Sequence, residues 1–557
     1  MSSEEKKIDE SNMPICNELD RVPGHDSQEP LYGLQRSLKP RHVQMLVIGG
    51  VIGTGLFLGT AGNLQSGGPA GLLIGYCIMA SLLYAVMVAL GEMVSQLPVP
   101  GGQFALAGRF ISPDVGFAMG WLYWYNYIIV LPAEISACAV LISYWTNPES
   151  STCDSPVCNN ALWVGLLLIV VLAINFAGTR VFGECEFWFA SIKVITIVGL
   201  ILVGIVISAG GGPTHETIGF RYWRETGGFV QYKDIPGSKG RFLGFFNVLI
   251  SAAFSFIGTE ITAIAAAETD NPRRSVPKAI RSVWVRLVLF YVTSAFIIGI
   301  IVSPSDPDLN LNSTAAKSPF VIAIKRAQIS VLPSIINAAL LTSAWSAACA
   351  DLYVSSRTLY GLAARGQAPS LLLKTRRSDG LPYICVIICG FFSLLSFMAA
   401  SDGKAGKAFG YFSSMTAMCG IISWSCILWT YLRWRKGLDT QNIDRAELAY
   451  RAPLQPYLSY YGVGACLLVM VFGGFGAFVI TFDSSTFITT YFPIPFFLVL
   501  AIGYKVVHRS KFVQTNEMDF VTGLSVDESS VSHSGKSSDL VSKVSQLLKM
   551  HRNKSEI

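Results

Sequence analysis

An all-α polytopic membrane protein with about twelve spanning helices is the fold class this sequence predicts. Three observations predict it. Only 14% of the 557 residues are charged while 52% are hydrophobic, against about 25% charged residues in a typical soluble chain. The mean hydropathy is +0.48, so the solvent of much of the chain is a lipid bilayer. The apolar residues also fall into about twelve runs of roughly 20, the length a helix needs to cross a hydrocarbon core. The net charge of +6 is small for this length and gives no case for nucleic acid. The six histidines show no paired ligand spacing, so no metal site and no cofactor are expected.

The elements follow in order. Residues 1–40 mix acids, Pro and Ser without apolar period and predict a disordered cytoplasmic tail. The membrane domain is expected over 41–507 and a second cytoplasmic tail, Ser-rich over 525–547, over 508–557. These tails are candidates for regulation, with trafficking machinery such as a ubiquitin ligase as the partner class. The spans read as 43–64, 70–97, 116–142, 161–179, 185–209, 243–268, 284–303, 331–363, 383–400, 406–432, 458–481 and 491–507. No cleavable signal opens the chain, and the first span would serve as an uncleaved anchor.

An even number of spans puts both tails on one side, and loop charge says which. Arg36, Lys39 and Arg41 precede span 1, and Arg273, Arg274, Lys278 and Arg281 follow span 6. Arg365, Lys374, Arg376 and Arg377 follow span 8; Arg433, Arg435, Lys436, Arg445 and Arg451 follow span 10. All lie on the tail side, so the positive-inside rule makes that side cytoplasmic. The basic loop 210–242 lies opposite but is long, and long loops count less. Pro272 and Pro277 are expected to limit helix in the loop after span 6. The sequon Asn312-Ser313-Thr314 falls outside and is a candidate glycosylation site. Cys153 and Cys158 share an outer loop, either as a small disulfide or as two free thiols.

Two spans carry matching breaks. The tripeptide Ile52-Gly53-Thr54 of span 1 recurs in span 6 as Ile257-Gly258-Thr259, about 205 residues later. Five spans separate the copies, so they run through the membrane in opposite directions, the trace of an inverted-topology repeat. Glycine inside a helix costs about 1 kcal/mol relative to alanine. Backbone groups freed by a break in hydrocarbon must line a cavity. The N–H groups of Gly53, Thr54 and Gly55 would attract a carboxylate. The carbonyls of Val51, Phe254 and Ile257 suit an ammonium, and together these groups make a receptor for a zwitterion. The competing reading is close helix packing through small residues.

At these residues the chain resembles a known family. The segments GVIGTGLF (50–57), SFIGTE (255–260) and AETDNPRRSVPKAI (267–280) are similar to those of fungal amino-acid permeases of the amino acid–polyamine–organocation superfamily. So are LPAEI (131–135), EFWFASIKV (186–194) and SAWSAACADLYVSSRTLYGLA (343–363), and the likeness runs over roughly 36–510. The resemblance implies a LeuT-like fold: a five-plus-five inverted repeat with two peripheral helices. It implies proton-coupled import of an amino-acid substrate at the plasma membrane. Gly53, Thr54 and Gly55 match the family's carboxylate-binding break, and Phe254, Ser255, Ile257, Gly258 and Thr259 match the second break. Phe254 matches an aromatic gate, and Glu134 a carboxylate near the substrate. Trp345, Phe409 and Ser413 are expected to shape the side-chain pocket.

Lys193 lies inside span 5, where a lysine costs about 2.5–3.5 kcal/mol on insertion scales. The resemblance matches it to a lysine thought to replace a sodium ion beside span 1. It is the expected proton-coupling group, with a permanent structural cation as the alternative; Glu260 is a structural support first and a proton relay second. Glu92, near the cytoplasmic end of span 2, reads as structural. Two alternatives stand beside the symporter: a sensor signalling through its tails, and a permease of narrow specificity, for example for proline. A membrane enzyme, a third class, is not expected, since the sequence shows no Ser/His/Asp set, metal-ligand cluster or nucleotide loop outside the spans.

Overall fold

The computed structural model describes residues 53–99, 101–146, 159–260, 272–310, 318–400, 404–448 and 450–522. The described residues form helices and connecting turns, without strands. The first run, Gly55–Gln96, opens with a π-helical turn over Gly55–Gly59 and breaks at Gly68 (φ 74°) into α1 (55–67) and α2 (69–96). Then come α3 (Gly102–Phe110), α4 (Pro113–Thr146), α5 (Asn160–Phe176), α6 (Thr179–Ser208), α7 (Arg221–Glu225) and α8 (Gly237–Phe256). The second half holds α9 (272–301), α10 (Pro319–Arg326), α11 (Leu332–Ala364) and α12 (Tyr383–Ala399). It closes with α13 (Ala405–Thr440), α14 (Tyr457–Phe478), α15 (Ser484–Tyr491) and α16 (Pro493–His508).

By length and apolarity seven helical runs among the described residues suffice to cross a membrane, or eight with the bent pair α15–α16. The chain is a multi-span membrane protein. Each of the twelve apolar runs read from the sequence has a helical counterpart among the described residues, and three details differ. The expected loop 65–69 is a single-residue break at Gly68, because Pro69 has no N–H to leave unpaired and restarts the helix. The last run is preceded by α15, set at 41° to α16. The segment after span 6 is helical from Pro272, not limited by its prolines. Pro272 sits in the first turn, where an N–H has no helical partner anyway, and Pro277 removes one bond.

α4 is the central element. Within its most apolar window 89% of residues are buried, against 39% in α6 and 28% in α14. The sequence explains this: α4 is apolar on every side, as a helix surrounded by protein must be. It packs against α11 and α13, while α2 packs along α8. α6 is two-faced. Glu186, Lys193, Ile197, Leu200 and Gly204 are buried at helical spacing, while Trp188, Ile195, Leu202 and Val206 are exposed. In a lipid solvent the exposed apolar stripe faces hydrocarbon, and the polar pair faces the bundle.

Candidate functional site

α8 ends where its sequence stops supporting a helix. Ile257 is extended (φ −66°, ψ 146°) and Gly258 takes φ +89°, a left-handed conformation that disfavours residues with a Cβ. Thr259 Oγ1 donates to the Phe256 carbonyl at 2.8 Å. The Glu260 carboxylate is buried, faced by the N–H groups of Gly258 and Glu260, and accepts from Trp424 Nε1 at 3.5 Å. Burial without such donors would cost several kcal/mol for an ion.

The start of the α1 run lies against this break. Gly55 packs directly on α8: a Cβ added there would stand 2.7 Å from Ser255 Cα and 3.1 Å from Phe254 Cδ1. Tyr76 of α2 shares a 2.9 Å hydrogen bond with Ser255 Oγ and donates to the Gly55 carbonyl at 3.5 Å. Thr54 Oγ1 donates to Glu134 Oε1 at 2.9 Å, and the Thr54 N–H also faces that carboxylate. A Cβ on Gly53 would reach within 3.2 Å of the same oxygen. Glu134 Oε2 is buried and has no hydrogen-bond partner among the described residues. The Phe254 ring meets Phe409 of α13 edge-on, centroids 5.7 Å apart.

A second buried cluster joins α6 to α11. Lys193 is fully buried, with Nζ 3.7 Å from Glu186 Oε1 and no hydrogen-bond partner among the described residues. The span 1 residues before Gly53, beside which the resemblance places this lysine, lie outside the described residues. Ser346 Oγ donates to Glu186 Oε2 at 2.7 Å. Asp351 Oδ2 is buried, also without a partner among the described residues, and the side chain lies within electrostatic reach of Glu134, Lys193 and Glu186. One ammonium and three carboxylates thus share the interior of α4, α6 and α11. Groups this costly to bury make the cluster a candidate ion or substrate path.

Gly53, Thr54, Gly55, Glu134, Phe254, Ser255 and Phe409 come together, and Ile257, Gly258, Thr259 and Glu260 form the break beside them. Trp345 makes its ring contact with Phe189 of α6, centroids 5.2 Å apart, and not with Phe254 or Phe409. Ser413 bonds to the Gly410 carbonyl of its own helix. Val51, Asn312, Cys153 and Cys158 lie outside the described residues. Sequence reasoning missed Glu186, Asp351, Tyr76 and Tyr127, whose hydroxyl would lie 3.5 Å from a Cβ on Gly258. Glu186 was within reach of a periodicity argument, since seven residues before Lys193 is the same helix face two turns away.

These breaks and buried charges sit inside a stretch that matches a known family over residues 42–517, described as amino acid permease. The chain belongs to the amino acid permease family. Its relatives agree. The dicarboxylic amino acid permease of Saccharomyces cerevisiae is 40% identical over 503 residues, covering 89% of this chain and 81% of the relative. The proline-specific permease of Emericella nidulans is 40% identical over 498 residues, 88% of each chain. The lysine-specific permease of S. cerevisiae is 37% identical over 488 residues, 86% of this chain and 77% of the relative. The permease is thus a transporter and not an enzyme.

Proposed function

We propose that the permease imports amino acids across the plasma membrane together with protons, by alternating access, with both termini in the cytoplasm. The observation that carries this reading is the meeting of Gly53–Thr54–Gly55, at the start of the α1 run, with Phe254 and Ser255 just before the Ile257–Gly258 break, with Glu134 bonded to Thr54. Main-chain donors at the first break take the substrate carboxylate, and the carbonyls of Val51, Phe254 and Ile257 take its ammonium. Glu134 stands at Thr54, and its Oε2 accepts no bond among the described residues, so it is an additional acceptor for the ammonium once the carboxylate reaches Thr54. Phe254 and Phe409 close over the side chain. Lys193, paired with Glu186, is the coupling group; a charge moved through the membrane potential is worth about 2.3 kcal/mol per 100 mV. Repeated basic clusters after spans 6, 8 and 10 support the cytoplasmic tails.

The test is uptake in a permease-deficient fungal host with a panel that includes glutamate, proline and lysine, since relatives named for each class are similarly close. Concentrative uptake that a protonophore abolishes is expected. Amino-acid binding with no net uptake would favour a sensor.

A further inference from the structure

The stretch after α16 is not a free tail at its start. Arg509 adopts a left-handed conformation (φ 49°) and turns residues 510–522 back across the ends of α3, α4 and α13. Ser510 Oγ donates to Asp114 Oδ1 at 2.8 Å, and the Val513 N–H donates to the Ile111 carbonyl at 2.9 Å. Arg433 of α13 clasps both sides: it donates to the carbonyls of Val513 and Phe110 and lies 4.2 Å above the Phe512 ring. Gln441 Nε2 donates to the carbonyls of Thr515 at 3.1 Å and Met518 at 2.8 Å. Met518 and Phe520 are buried, and the Phe520 ring lies tilted against Phe110 and Trp434, centroids 5.3 and 6.4 Å apart. They fill a groove that Gly437 leaves open: a Cβ there would stand 2.4 Å from Met518 Sδ. Arg109 of α3 pairs with Asp519 at 2.5 Å and donates to the Thr522 carbonyl at 2.8 Å.

This contact bears on transport because of what else α13 does. It is one helix of 36 residues. Phe409, near its start, closes on Phe254, while Arg433, Gly437 and Gln441, near its end, sit in the clasp. At about 1.5 Å per residue the two ends are roughly 40 Å apart on a single stiff rod. A rod held at one end converts a push into a pivot; a rod free at both ends drifts.

We infer that residues 509–522 are a detachable strap that pins the cytoplasmic end of α13 to α3 and α4, giving the Phe409 end a fixed pivot. The inference rests on the alternating-access reading. A protein that captures the tail and lifts the strap would slow transport without touching the substrate site. The apolar–acidic–apolar run Met518-Asp519-Phe520 is the part such a partner would have to peel away.

The experiment uses the full chain. A Met518→Cys probe, with native cysteines replaced or shown silent, reports strap release as reaction with a membrane-impermeant thiol reagent in inside-out vesicles. Arg109→Asp and Asp519→Arg each break the ion pair, and the double variant restores it with charges exchanged. Each single variant is expected to expose the probe and to lower the uptake rate at matched protein by about threefold or more, with KM within about twofold. The exchanged pair is expected to recover both. Wild-type uptake with an exposed probe would overturn the pivot. A probe that stays protected in both single variants, or an exchanged pair that recovers neither readout, would overturn the strap. Failure of the unmodified chain to take up any amino acid would sink the transport reading instead, and the probe would still report the strap.

Discussion

Gly55→Ala should push the start of the α1 run away from the end of α8 and cripple transport. The added Cβ would lie 2.7 Å from Ser255 Cα and 2.9 Å from Ser255 Oγ. Carbon atoms in contact sit about 3.5–4.0 Å apart, so α1 and α8 must part by about 1 Å. The first clash is with backbone, and no rotamer change relieves it. Overpacking of this kind costs about 1–3 kcal/mol, and a 1 Å misplacement of binding groups costs on the order of 100-fold in rate. Uptake per molecule should therefore fall roughly 100-fold while some folded protein still reaches the membrane. Gly59→Ala is the control. A Cβ added at Gly59 would meet no atom of the described residues within 4 Å, and alanine favours helix by about 1 kcal/mol, so its uptake should match the unsubstituted chain. The assay is radiolabelled uptake normalised to surface protein. Wild-type uptake by Gly55→Ala, or equal loss in both variants, would refute the reasoning.

Thr54→Val removes the donor to Glu134 and leaves a buried acceptor short by about 1–3 kcal/mol; uptake should weaken, and amino acids amidated at the carboxylate should compete poorly, so equal competition by both forms counts against main-chain readout. Lys193→Met strands the buried Glu186 carboxylate, a loss of about 3–5 kcal/mol. Adding Glu186→Gln should recover protein yield in detergent but not accumulation against a gradient. Arg445→Ala breaks a two-pronged pair with buried Glu92, which also accepts from Tyr431 and the Ala452 N–H; it should lower the thermal midpoint markedly, and Tyr431→Phe should cost only about 1 kcal/mol. Burial opposes ionisation of Asp519, but the N–H groups of Thr522 and Val521 and the Arg109 guanidinium outweigh it and hold the carboxyl below its ordinary range. A depressed value makes the strap's ion pair fully present above about pH 4 and lost only as pH falls further; the Met518→Cys probe should stay protected throughout pH 5–7.5.

The spans were legible because lipid demands long apolar runs, and the break at Ile257–Gly258 was legible because a glycine in such a run is costly. What pairs with what was not. Trp345 looked like a pocket wall from its place in span 8, yet its ring meets Phe189, since position along a helix does not give the facing neighbour. Asp351 sits within a family-like segment but carries no signal of its own there, because a lone acid acquires meaning only beside Lys193 and Glu134 in space. The strap was the least visible. Phe512, Met518 and Phe520 are scattered among polar residues without period, and only the groove beside Gly437 makes them core. Pro277 misled in the other direction, because one lost hydrogen bond in a helix packed on its neighbours does not end it.

The most direct test of proton-coupled transport is accumulation by the purified permease in proteoliposomes under an imposed pH gradient, acidic outside. A free amino acid should be taken up above equilibrium, a protonophore should collapse that accumulation, and Lys193→Met at matched protein should lose it. Accumulation that ignores the gradient, or that Lys193→Met sustains with an unchanged pH response, would contradict proton coupling through the buried lysine.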